Sequence, residues 1–346
     1  MSCHTKAKSK QSIIKRNTTR FVLEYGRVEK RLERVIVLGA SGFIGRRLVA
    51  ALREQLGSNG QVVTAGSRDC DLVNRDSTFA WFERHHWTFE CDHIFHLAAV
   101  YKAGGWPATH PATQFHANMS INVNALEAWK RFFPNARFTS VVSYCMYPDH
   151  DQPHPESELY GTEPERYLFA YAFTKKALLI GQEAYCKEFG LSAVSTVLST
   201  VYGPGDSFSE SSHVMGALIG KFIRAERDGI DEVEVWGDGT QEREFLYIDD
   251  AVSGIIDAAL NAKSAVLNLG VGRTYSIREL AKTIKSLTGF RGRIRYNENR
   301  FVGALRRVLD VGRVHSELSW RPQVELTEGI KRTIEWHRAS GGESAH

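Results

Sequence analysis

A glycine-rich turn between an apolar strand and an amphipathic helix constrains the fold of this chain more than any other segment. The stretch VIVLGASGFIGRRLVAAL follows Arg34 and places Gly39, Gly42 and Gly45 in a GxxGxxG spacing. Glycines at these points permit a tight turn, close approach of the backbone to a pyrophosphate, and close packing of the helix on the strand. Because the helix N-terminus presents free N–H groups to phosphates, the arrangement predicts a dinucleotide-binding unit.

The end of the next apolar segment indicates which dinucleotide is bound. QVVTAGSRDCDL predicts a strand over residues 62–65 followed by a polar turn. At this turn an acid accepts a hydrogen bond from the ribose 2′-OH, whereas an arginine accommodates a 2′-phosphate. Arg68 stands here beside Asp69, with Arg46 as a second candidate, so the sequence favours NADP over NAD. Asp71 could accept a hydrogen bond from the adenine amine or cap a helix, and the sequence does not separate the two.

Strands and helices alternate after this unit. CDHIFHLAAVY and residues 138–143 predict two more buried strands, and helices are expected over 76–89 and 117–133. The alternation indicates right-handed βαβ units and a parallel sheet, hence an α/β, doubly wound fold. Small residues at a strand's carboxyl end, here Ala98 and Ala99, leave room for a cofactor. Later segments predict a smaller mixed lobe, with helices over 250–261, 276–288 and 327–336.

Composition excludes several classes of function. The chain of 346 residues carries 44 Lys and Arg against 40 Asp and Glu, and residues 1–34 alone hold ten of those basic residues with three Glu. The body is therefore slightly acidic, which argues against nucleic-acid binding, and no apolar run is long enough to span a membrane. Five scattered cysteines form no CxxC pair and no metal-binding cluster, so we expect no metal site and a cytoplasmic location. The basic segment over 1–33 is expected to be mostly disordered.

Two short patterns carry candidate catalytic residues. If the chain stays extended through YCMYPD, Ser143 and Cys145 face the same side, although alone this pattern is more typical of a strand end with a buried cysteine. Tyr171 and Lys175 lie four residues apart on a predicted helix, where an ammonium lowers a phenol's pKa and makes it a better acid or base. Alone, such a pair is equally typical of a helix surface. His213 opens an amphipathic helix, where a capping or surface role is the alternative.

Several motifs together resemble one family. GASGFIG, HLAA, the serine before CMYP, YAFTK, VYGPGD, SHVMGAL, VWGDGTQEREFLYIDD and LDV resemble the extended short-chain dehydrogenase/reductases, and within them the GDP-L-fucose synthase group. The similarity covers about residues 34–337. It implies a Rossmann domain that binds NADP over 34–200, and a smaller α/β substrate lobe over 201–337 that shares some elements with it. A tail over 338–346 and a homodimer are also expected.

The resemblance assigns roles to matching positions. It makes Ser143, Tyr171 and Lys175 the reductase triad. Cys145 and His213 become the acid–base pair for epimerisation. The implied substrate contacts are Lys221, Trp236 and Arg243. The implied cofactor contacts are Gly39, Ser41, Gly42, Phe43, Ile44, Gly45, Arg68, Asp71, Leu97, Ala98, Ala99, Leu198 and Val201, together with Tyr171, Lys175 and His213.

The implied activity is NADPH-dependent 3,5-epimerisation and 4-keto reduction of a nucleotide-linked 4-keto-6-deoxy sugar, with GDP as the expected nucleotide. Three positions depart from the family's usual pattern: Lys221 replaces arginine, Thr200 replaces asparagine, and Ser41 stands where some relatives have arginine. These departures leave the sugar and the base open. A 4-reductase or an epimerase alone, acting on a related nucleotide sugar such as a GDP-heptose, is the alternative. A non-catalytic NADP-binding regulator is a more distant one.

Overall fold

The computed structural model describes residues 32–101, 105–210, 212–300 and 303–341. All but the last two positions of the predicted N-terminal extension, and the end of the predicted tail over 342–346, lie outside the described residues. None of the helices in these ranges combines the length and the apolar character that a membrane crossing requires.

Parallel strands alternate with helices through the first two hundred residues, and shorter strands follow. The first elements are β1 (Arg34–Leu38), α1 (Phe43–Leu56), β2 (Gln61–Ala65), α2 (Arg75–His86), β3 (His93–His96), α3 (Trp106–Thr109), α4 (Pro111–Phe132), β4 (Arg137–Ser143), α5 (Phe169–Phe189) and β5 (Ala193–Leu198). The later elements are β6 (Thr200–Tyr202), α6 (Val214–Arg227), β7 (Glu232–Trp236), β8 (Glu242–Arg243), β9 (Phe245–Tyr247), α7 (Ile248–Asn261), β10 (Val266–Leu269), β11 (Tyr275–Ser276), α8 (Ile277–Thr288), β12 (Arg293–Asn297), β13 (Arg306–Arg307), α9 (Gly312–Glu317) and α10 (Leu326–Ala339).

The main sheet has six parallel strands in the order β10-β5-β4-β3-β1-β2. Val35 of β1 pairs with Val62 on one side and with His93 on the other. The chain proceeds outward in opposite directions from β1 and β3, and this reversal leaves a crevice at their carboxyl ends, where α/β proteins bind ligands. The predicted α/β class with a doubly wound parallel sheet is confirmed.

Alternate residues of β1 pack into two separate cores. Val35 and Val37 face one cluster, which includes apolar residues of α1, α6, α7 and α8. Ile36 and Leu38 face the other cluster, with residues of α2, α4 and α5. All four side chains are fully buried, because helices cover both faces of the sheet. This double burial explains why the strand is a continuous apolar run without polar alternation.

Two helices extend by three residues or more beyond their predicted bounds. Helix α4 begins at Pro111, before the predicted start at 117, because proline suits the first helical position, where its missing N–H leaves nothing unpaired. Helix α10 continues to Ala339, past the predicted end at 336. His337 holds this last turn by packing on Phe208, with ring centroids 4.3 Å apart. The first residues of the predicted tail therefore belong to a helix.

Among the described residues, three small sheets accompany the main sheet: β11-β8-β13, β12-β7 and β6-β9. Strand β10 and helix α7 come from beyond residue 200, yet β10 is an edge strand of the main sheet and α7 packs against β4 and β5. The two predicted domains therefore exchange elements. Their boundary at residue 200 stays a prediction.

A buried asparagine of β10 joins three segments near the end of β4. The hydroxyl of Tyr147 donates to Asn268 Oδ1 at 2.6 Å. Asn268 Nδ2 donates to the carbonyl oxygens of His154 and Asp310, both at 2.9 Å. The backbone N–H of Asn268 donates to Glu156 Oε1 at 2.9 Å. Asn268 thereby fixes the chain that follows Cys145.

We predict that Asn268→Ala destabilises the fold strongly. The substitution leaves the Tyr147 hydroxyl and the Asp310 carbonyl oxygen without the Asn268 partner, whereas the His154 carbonyl still accepts from the N–H of Asp310 at 3.0 Å. Each unsatisfied buried group costs about 1–3 kcal/mol. We expect a loss of at least about 2 kcal/mol in the free energy of unfolding, measured by urea denaturation. Tyr147→Phe is the control, because it removes one donor and should cost about 1 kcal/mol. Equal, small losses in the two variants would contradict the role given to Asn268.

Candidate active site

The glycine turn packs backbone against backbone at the ends of β1 and β3. Gly39 has a φ of +83°, and a Cβ there would lie 2.6 Å from the backbone nitrogen of Ala98. A Cβ on Gly45 would lie 2.1 Å from the carbonyl oxygen of Gly39. A Cβ on Gly42 would meet only that same oxygen, at 3.4 Å. Gly39 and Gly45 are therefore required by packing. Gly42 is not, and it leaves open space where a phosphate could bind.

A groove of about 340 Å³, here called the central groove, lies outside this turn. Its lining comes from the glycine turn, the ends of β3, β4 and β5, helix α5, and the start of α6. It brings together these predicted site residues: Gly39, Gly42, Phe43, Ile44, Gly45, Leu97, Ala99, Ser143, Cys145, Tyr171, Lys175, Leu198, Val201 and His213.

Four predicted cofactor residues lie elsewhere. Ser41 lines a cavity of about 360 Å³ beside the turn, together with Arg46 and Arg53, and we call it the Arg46 cavity. Arg68 is exposed and lines neither space. Asp71 accepts a hydrogen bond from the backbone N–H of Val73 at 3.0 Å, while the helix is capped by Asn74. The fourth, Ala98, packs against Gly39.

The segment after β4 is not extended, contrary to the expectation for Ser143 and Cys145. Residues Tyr144–Met146 form a single helical turn, and Ser143 Oγ accepts a hydrogen bond from the N–H of Cys145 at 3.4 Å. A serine side chain that satisfies the backbone in this way competes with continuation of the strand. Both residues still line the central groove. The site they share thus comes from a tight turn and not from strand alternation.

Tyr171 and Lys175 lie one turn apart on α5. Lys175 Nζ donates to the carbonyl oxygen of Val141 at 3.0 Å, and burial lowers the pKa of Lys175 to about 8. Burial, followed by the proximity of Cys145 and Tyr101, raises the pKa of Tyr171 well above its ordinary value. We expected the ammonium to lower that pKa, but desolvation dominates while Lys175 is directed to a carbonyl. Tyr171 is therefore a protonated phenol, able to donate a proton.

Desolvation also sets the charge of the other two candidate catalysts, although only Cys145 is buried and His213 is exposed to the groove. Cys145 is fully enclosed, and desolvation raises the pKa of its thiol to about 12 against the opposing hydrogen bond from Ser143. The ring of His213 opens onto the groove but is surrounded by protein atoms, and this desolvation lowers its pKa. At neutral pH the structure therefore holds a neutral thiol and favours a neutral imidazole.

A second space, here called the lobe cavity, continues from the central groove and has a volume of about 270 Å³. Tyr101, Thr200 and His213 line both spaces. The lobe cavity contains the three predicted substrate residues Lys221, Trp236 and Arg243. Burial lowers the pKa of Lys221, and its Nζ lies 5.5 Å from the Trp236 ring centroid. Two cations lining one cavity, one of them beside an aromatic ring, suit a phosphate-bearing ligand.

Sequence reasoning missed two residues of the site. Tyr101 follows the HLAA strand end and packs on both Tyr171 and His213, with ring centroids 4.8 and 5.3 Å apart. Arg307 is 5% exposed, pairs with Glu165 at 3.0 Å, and lies with its guanidinium 5.9 Å from the Tyr144 ring centroid. The aromatic after the strand and the arginine before LDV were visible in the sequence, but neither belonged to a motif.

A histidine pair and a glutamate also come together, behind the site. His150 Nε2 and His154 Nδ1 lie 3.1 and 2.9 Å from the same oxygen of Glu158. His150 Nδ1 accepts a hydrogen bond from the N–H of Gln152 at 3.2 Å, so the neutral ring carries its proton on Nε2. That nitrogen then donates to Glu158. The geometry is therefore that of a hydrogen-bonded network. Its three members are spaced four residues apart in the sequence.

Comparison with known proteins decides the family. The model of the NAD dependent epimerase/dehydratase family matches residues 35–270. The chain belongs to this family. It is 31% identical to GDP-L-fucose synthase 1 of Arabidopsis thaliana, over 91% of this chain and 96% of the relative, and 32% identical to GDP-L-fucose synthase of Escherichia coli, over 88% and 96%. The Campylobacter jejuni structure of MlghC, a GDP-mannoheptose C4 reductase with NADP bound, aligns with a TM-score of 0.77 and 26% identity, over 88% of this chain and 98% of that one.

The predicted family, and the prediction that the chain is an enzyme of the short-chain dehydrogenase/reductase type, are confirmed. The residues of the glycine turn fit the dinucleotide that this family binds, since Gly42 leaves space where a Cβ would meet no side chain. The roles of the individual site residues stay predictions, and their geometry shows which chemistry they can perform.

A pair of alanine substitutions should separate packing from cofactor binding. We predict that Gly45→Ala costs about 1–3 kcal/mol of stability, because its methyl group would collide with the Gly39 carbonyl. Gly42→Ala should change stability by no more than about 0.5 kcal/mol. Its methyl group would enter the central groove and weaken NADP binding by at least about tenfold. Thermal unfolding and calorimetric titration with NADP measure the two effects. Unchanged NADP affinity in Gly42→Ala would place the pyrophosphate elsewhere.

Proposed function

We propose that this enzyme catalyses 3,5-epimerisation and NADPH-dependent 4-keto reduction of a GDP-linked 4-keto-6-deoxy sugar. The observation that carries the proposal is the joining of two spaces. Ser143, Cys145, Tyr171 and His213 line the central groove, which continues into a cavity with two cations and an exposed indole. The names of the GDP-L-fucose synthases and of the GDP-mannoheptose reductase among the relatives support a GDP-sugar substrate.

For reduction, the chain supplies a proton and holds the ketone. When bound, NADPH supplies hydride to the sugar C4. The phenol of Tyr171, kept protonated by burial, gives its proton to the C4 oxygen. Ser143 Oγ holds that oxygen by donating a hydrogen bond. Lys175 binds the cofactor's ribose and contributes positive charge near Tyr171, with its ammonium 5.9 Å from the ring centroid.

For epimerisation, two residues exchange protons with the carbons beside the ketone. The C4 carbonyl makes the protons at C3 and C5 acidic, since it delocalises the charge that remains when one is removed. The Cys145 thiolate takes one of these protons, and the electron pair moves onto the C4 oxygen. The His213 imidazolium then protonates the same carbon from the opposite side. Each cycle ends with the thiol and the neutral imidazole of the resting protein, and transfer of the thiol proton to the imidazole, by exchange with solvent, regenerates the thiolate and the imidazolium.

NADP is the proposed cofactor, and the Arg46 cavity supports the choice. Ser41, Arg46 and Arg53 line this cavity beside the glycine turn together with Asp69, so two cations face one carboxylate there. The Arg46 guanidinium donates to the carbonyl oxygen of Ser41 at 2.7 Å. We assign the 2′-phosphate to these arginines and not to Arg68. In the lobe cavity, Lys221 and Arg243 would bind the diphosphate of the substrate.

A 4-reductase without epimerisation is the second candidate, and one observation favours it. The Cys145 thiol has a pKa raised to about 12, so only a small fraction is thiolate at neutral pH. Reduction needs Tyr171 in its protonated state, which burial already provides. The MlghC relative is described as a C4 reductase, which is compatible with this second candidate.

Incubation with GDP-4-keto-6-deoxymannose in D₂O tests the proposal. We predict NADPH oxidation and deuterium at C3 and C5 of the product, read by NMR. Cys145→Ser should reduce deuterium incorporation by at least about 10²-fold, since a hydroxyl is a far weaker base, and Tyr171→Phe should suppress NADPH oxidation while deuterium incorporation continues.

NADPH oxidation without deuterium incorporation would select the 4-reductase. Tight NADP binding without turnover on any 4-keto nucleotide sugar would contradict the proposal and support the non-catalytic alternative. We also place the reaction in a reducing cytoplasm, because the described cysteines are buried free thiols, namely Cys70, Cys91, Cys145 and Cys186.

We further propose a homodimer formed through α4 and α5. Both helices expose large apolar side chains on their outer surfaces, an arrangement typical of protein interfaces. Phe115 of α4 packs beside Phe173 of α5, with ring centroids 6.1 Å apart, and the two side chains are 41% and 42% exposed. The other large apolar residues that these helices expose are Val123, Phe169, Ile180 and Phe189.

We predict that Phe173→Asp converts the dimer to a monomer, because it puts a charge at the centre of this apolar surface. Light scattering coupled to size-exclusion chromatography measures the mass. Trp87→Asp is the matched control. Trp87 is also an exposed apolar residue, at 77%, but it lies at the end of α2 and not on the apolar surface of α4 and α5. A monomeric wild-type protein, or a dimer in Phe173→Asp, would contradict the proposal.

A further inference from the structure

Tyr101 lies between the candidate catalytic groups of the two half-reactions. Its ring is stacked on that of His213, with centroids 5.3 Å apart and an interplanar angle of 6°. The same ring meets Tyr171 at 4.8 Å with a tilt of 51°. It also lines both the central groove and the lobe cavity. A sugar that extends from the lobe cavity to Tyr171 and Cys145 therefore lies beside this ring.

The stack is the contact that orients the imidazole. His213 stands at the N-cap of α6, and within the described parts of the chain no hydrogen bond to its ring nitrogens is found. A histidine without such a partner can rotate about its side-chain bonds, and both ring orientations are then accessible. The near-parallel face of Tyr101 restricts that rotation. Loss of the ring would leave His213 without a fixed direction toward the sugar.

The backbone before Tyr101 is held by a buried amide. Asn118 of α4 is 2% exposed, and its Oδ1 accepts from the N–H of Val100 at 2.8 Å. Its Nδ2 donates to the carbonyl oxygen of Val100 at 2.9 Å. Both backbone groups of one residue are thus fixed by a single side chain that itself cannot move far. These two hydrogen bonds fix the backbone position from which the Tyr101 side chain extends.

Tyr101 is not suited to exchange protons itself. Burial, followed by the proximity of Tyr144 and Cys145, raises the pKa of its phenol, so the ring stays neutral at physiological pH. Tyr171 already occupies the acid's position on α5 next to Lys175. What Tyr101 offers is a rigid, planar surface with few rotatable bonds.

We propose that Tyr101 is a positioning residue for His213, which aligns the imidazole for proton delivery to the sugar carbons. The inference rests on the function proposed above. It assigns Tyr101 to the epimerisation half-reaction. Tyr101 would orient the His213 imidazole without exchanging a proton itself. A displacement of about 1 Å in a catalytic group lowers rates by up to about 10²-fold, so the effect should be measurable.

Two variants test the proposal by removing or keeping the ring. Tyr101→Leu fills similar space without a planar face, and Tyr101→Phe keeps the stack and loses only the hydroxyl. Deuterium incorporation from D₂O at C3 and C5 reports epimerisation, measured with NADP⁺ in place of NADPH so that no reduction follows. We expect Tyr101→Leu to slow this exchange by roughly 10- to 100-fold through kcat, and Tyr101→Phe to stay within about threefold of wild type.

NADPH oxidation by the same variants should fall much less than the exchange. Equal losses in both reactions, or equal losses in the Leu and Phe variants, would overturn the positioning role. If Tyr101→Leu unfolds, Tyr101→Met repeats the test with a flexible side chain of similar volume. NADP affinity and thermal unfolding show whether each variant is intact.

A double-variant cycle gives the sharpest outcome. Because Tyr101 acts through the imidazole, adding Tyr101→Leu to His213→Ala should slow the exchange no further than His213→Ala alone. Additive losses would show that Tyr101 acts on another group and overturn the proposal. Absence of exchange and of NADPH oxidation in the wild type would instead contradict the proposed function, so the two failures are distinguishable.

Discussion

The close backbone contact at Gly39 is the constraint on which the rest of the site depends. A side chain on Gly39 would overlap the backbone of Ala98, and one on Gly45 would overlap the Gly39 carbonyl. The ends of β1 and β3 and the start of α1 can therefore meet only where no Cβ is present. Their contact opens the groove at the point where the strand order reverses. Catalytic candidates on β4, α5 and α6 then surround a space that the glycines create.

Burial in this groove has opposite consequences for the two proposed half-reactions. Desolvation raises the pKa of both Tyr171 and Cys145, since it disfavours the phenolate and the thiolate alike. A protonated Tyr171 is the form that reduction needs, whereas a protonated Cys145 is the form that epimerisation must first deprotonate. Desolvation likewise lowers the pKa of His213, which disfavours the imidazolium that would deliver the proton. The resting protein is thus prepared for reduction, and epimerisation depends more on the acidity that the ketone gives its neighbours.

The fold could be predicted because the sequence patterns that indicate it lie within short segments. Parts of the site could not be predicted, because they depend on single hydrogen bonds or on contacts between distant segments. Glycine spacing and strand–helix alternation lie within short segments, so the turn at Gly39 and the parallel sheet follow from the sequence. The turn at Cys145 depends on one hydrogen bond to the Ser143 hydroxyl, which no periodicity reveals. The stack of Tyr101 on His213 joins loops more than a hundred residues apart, and only the folded chain shows it.

The lobe that would bind the sugar is built onto the main sheet by buried polar groups as well as by apolar packing. Glu244 follows Arg243 directly and accepts hydrogen bonds from the N–H groups of Gly272 at 2.7 Å and Leu309 at 2.8 Å. Gly272 follows β10, whose Asn268 in turn holds the chain after Cys145. Arg243, which is proposed to bind the substrate, and the segment that carries the Cys145 thiol are therefore both fixed to β10 and the residues that follow it.

The carboxyl group of Glu244 is costly to keep charged in the interior, and burial raises its pKa to about 7. Three backbone N–H donors offset that cost, which explains why an acid occupies this position where an apolar residue would leave all three unpaired.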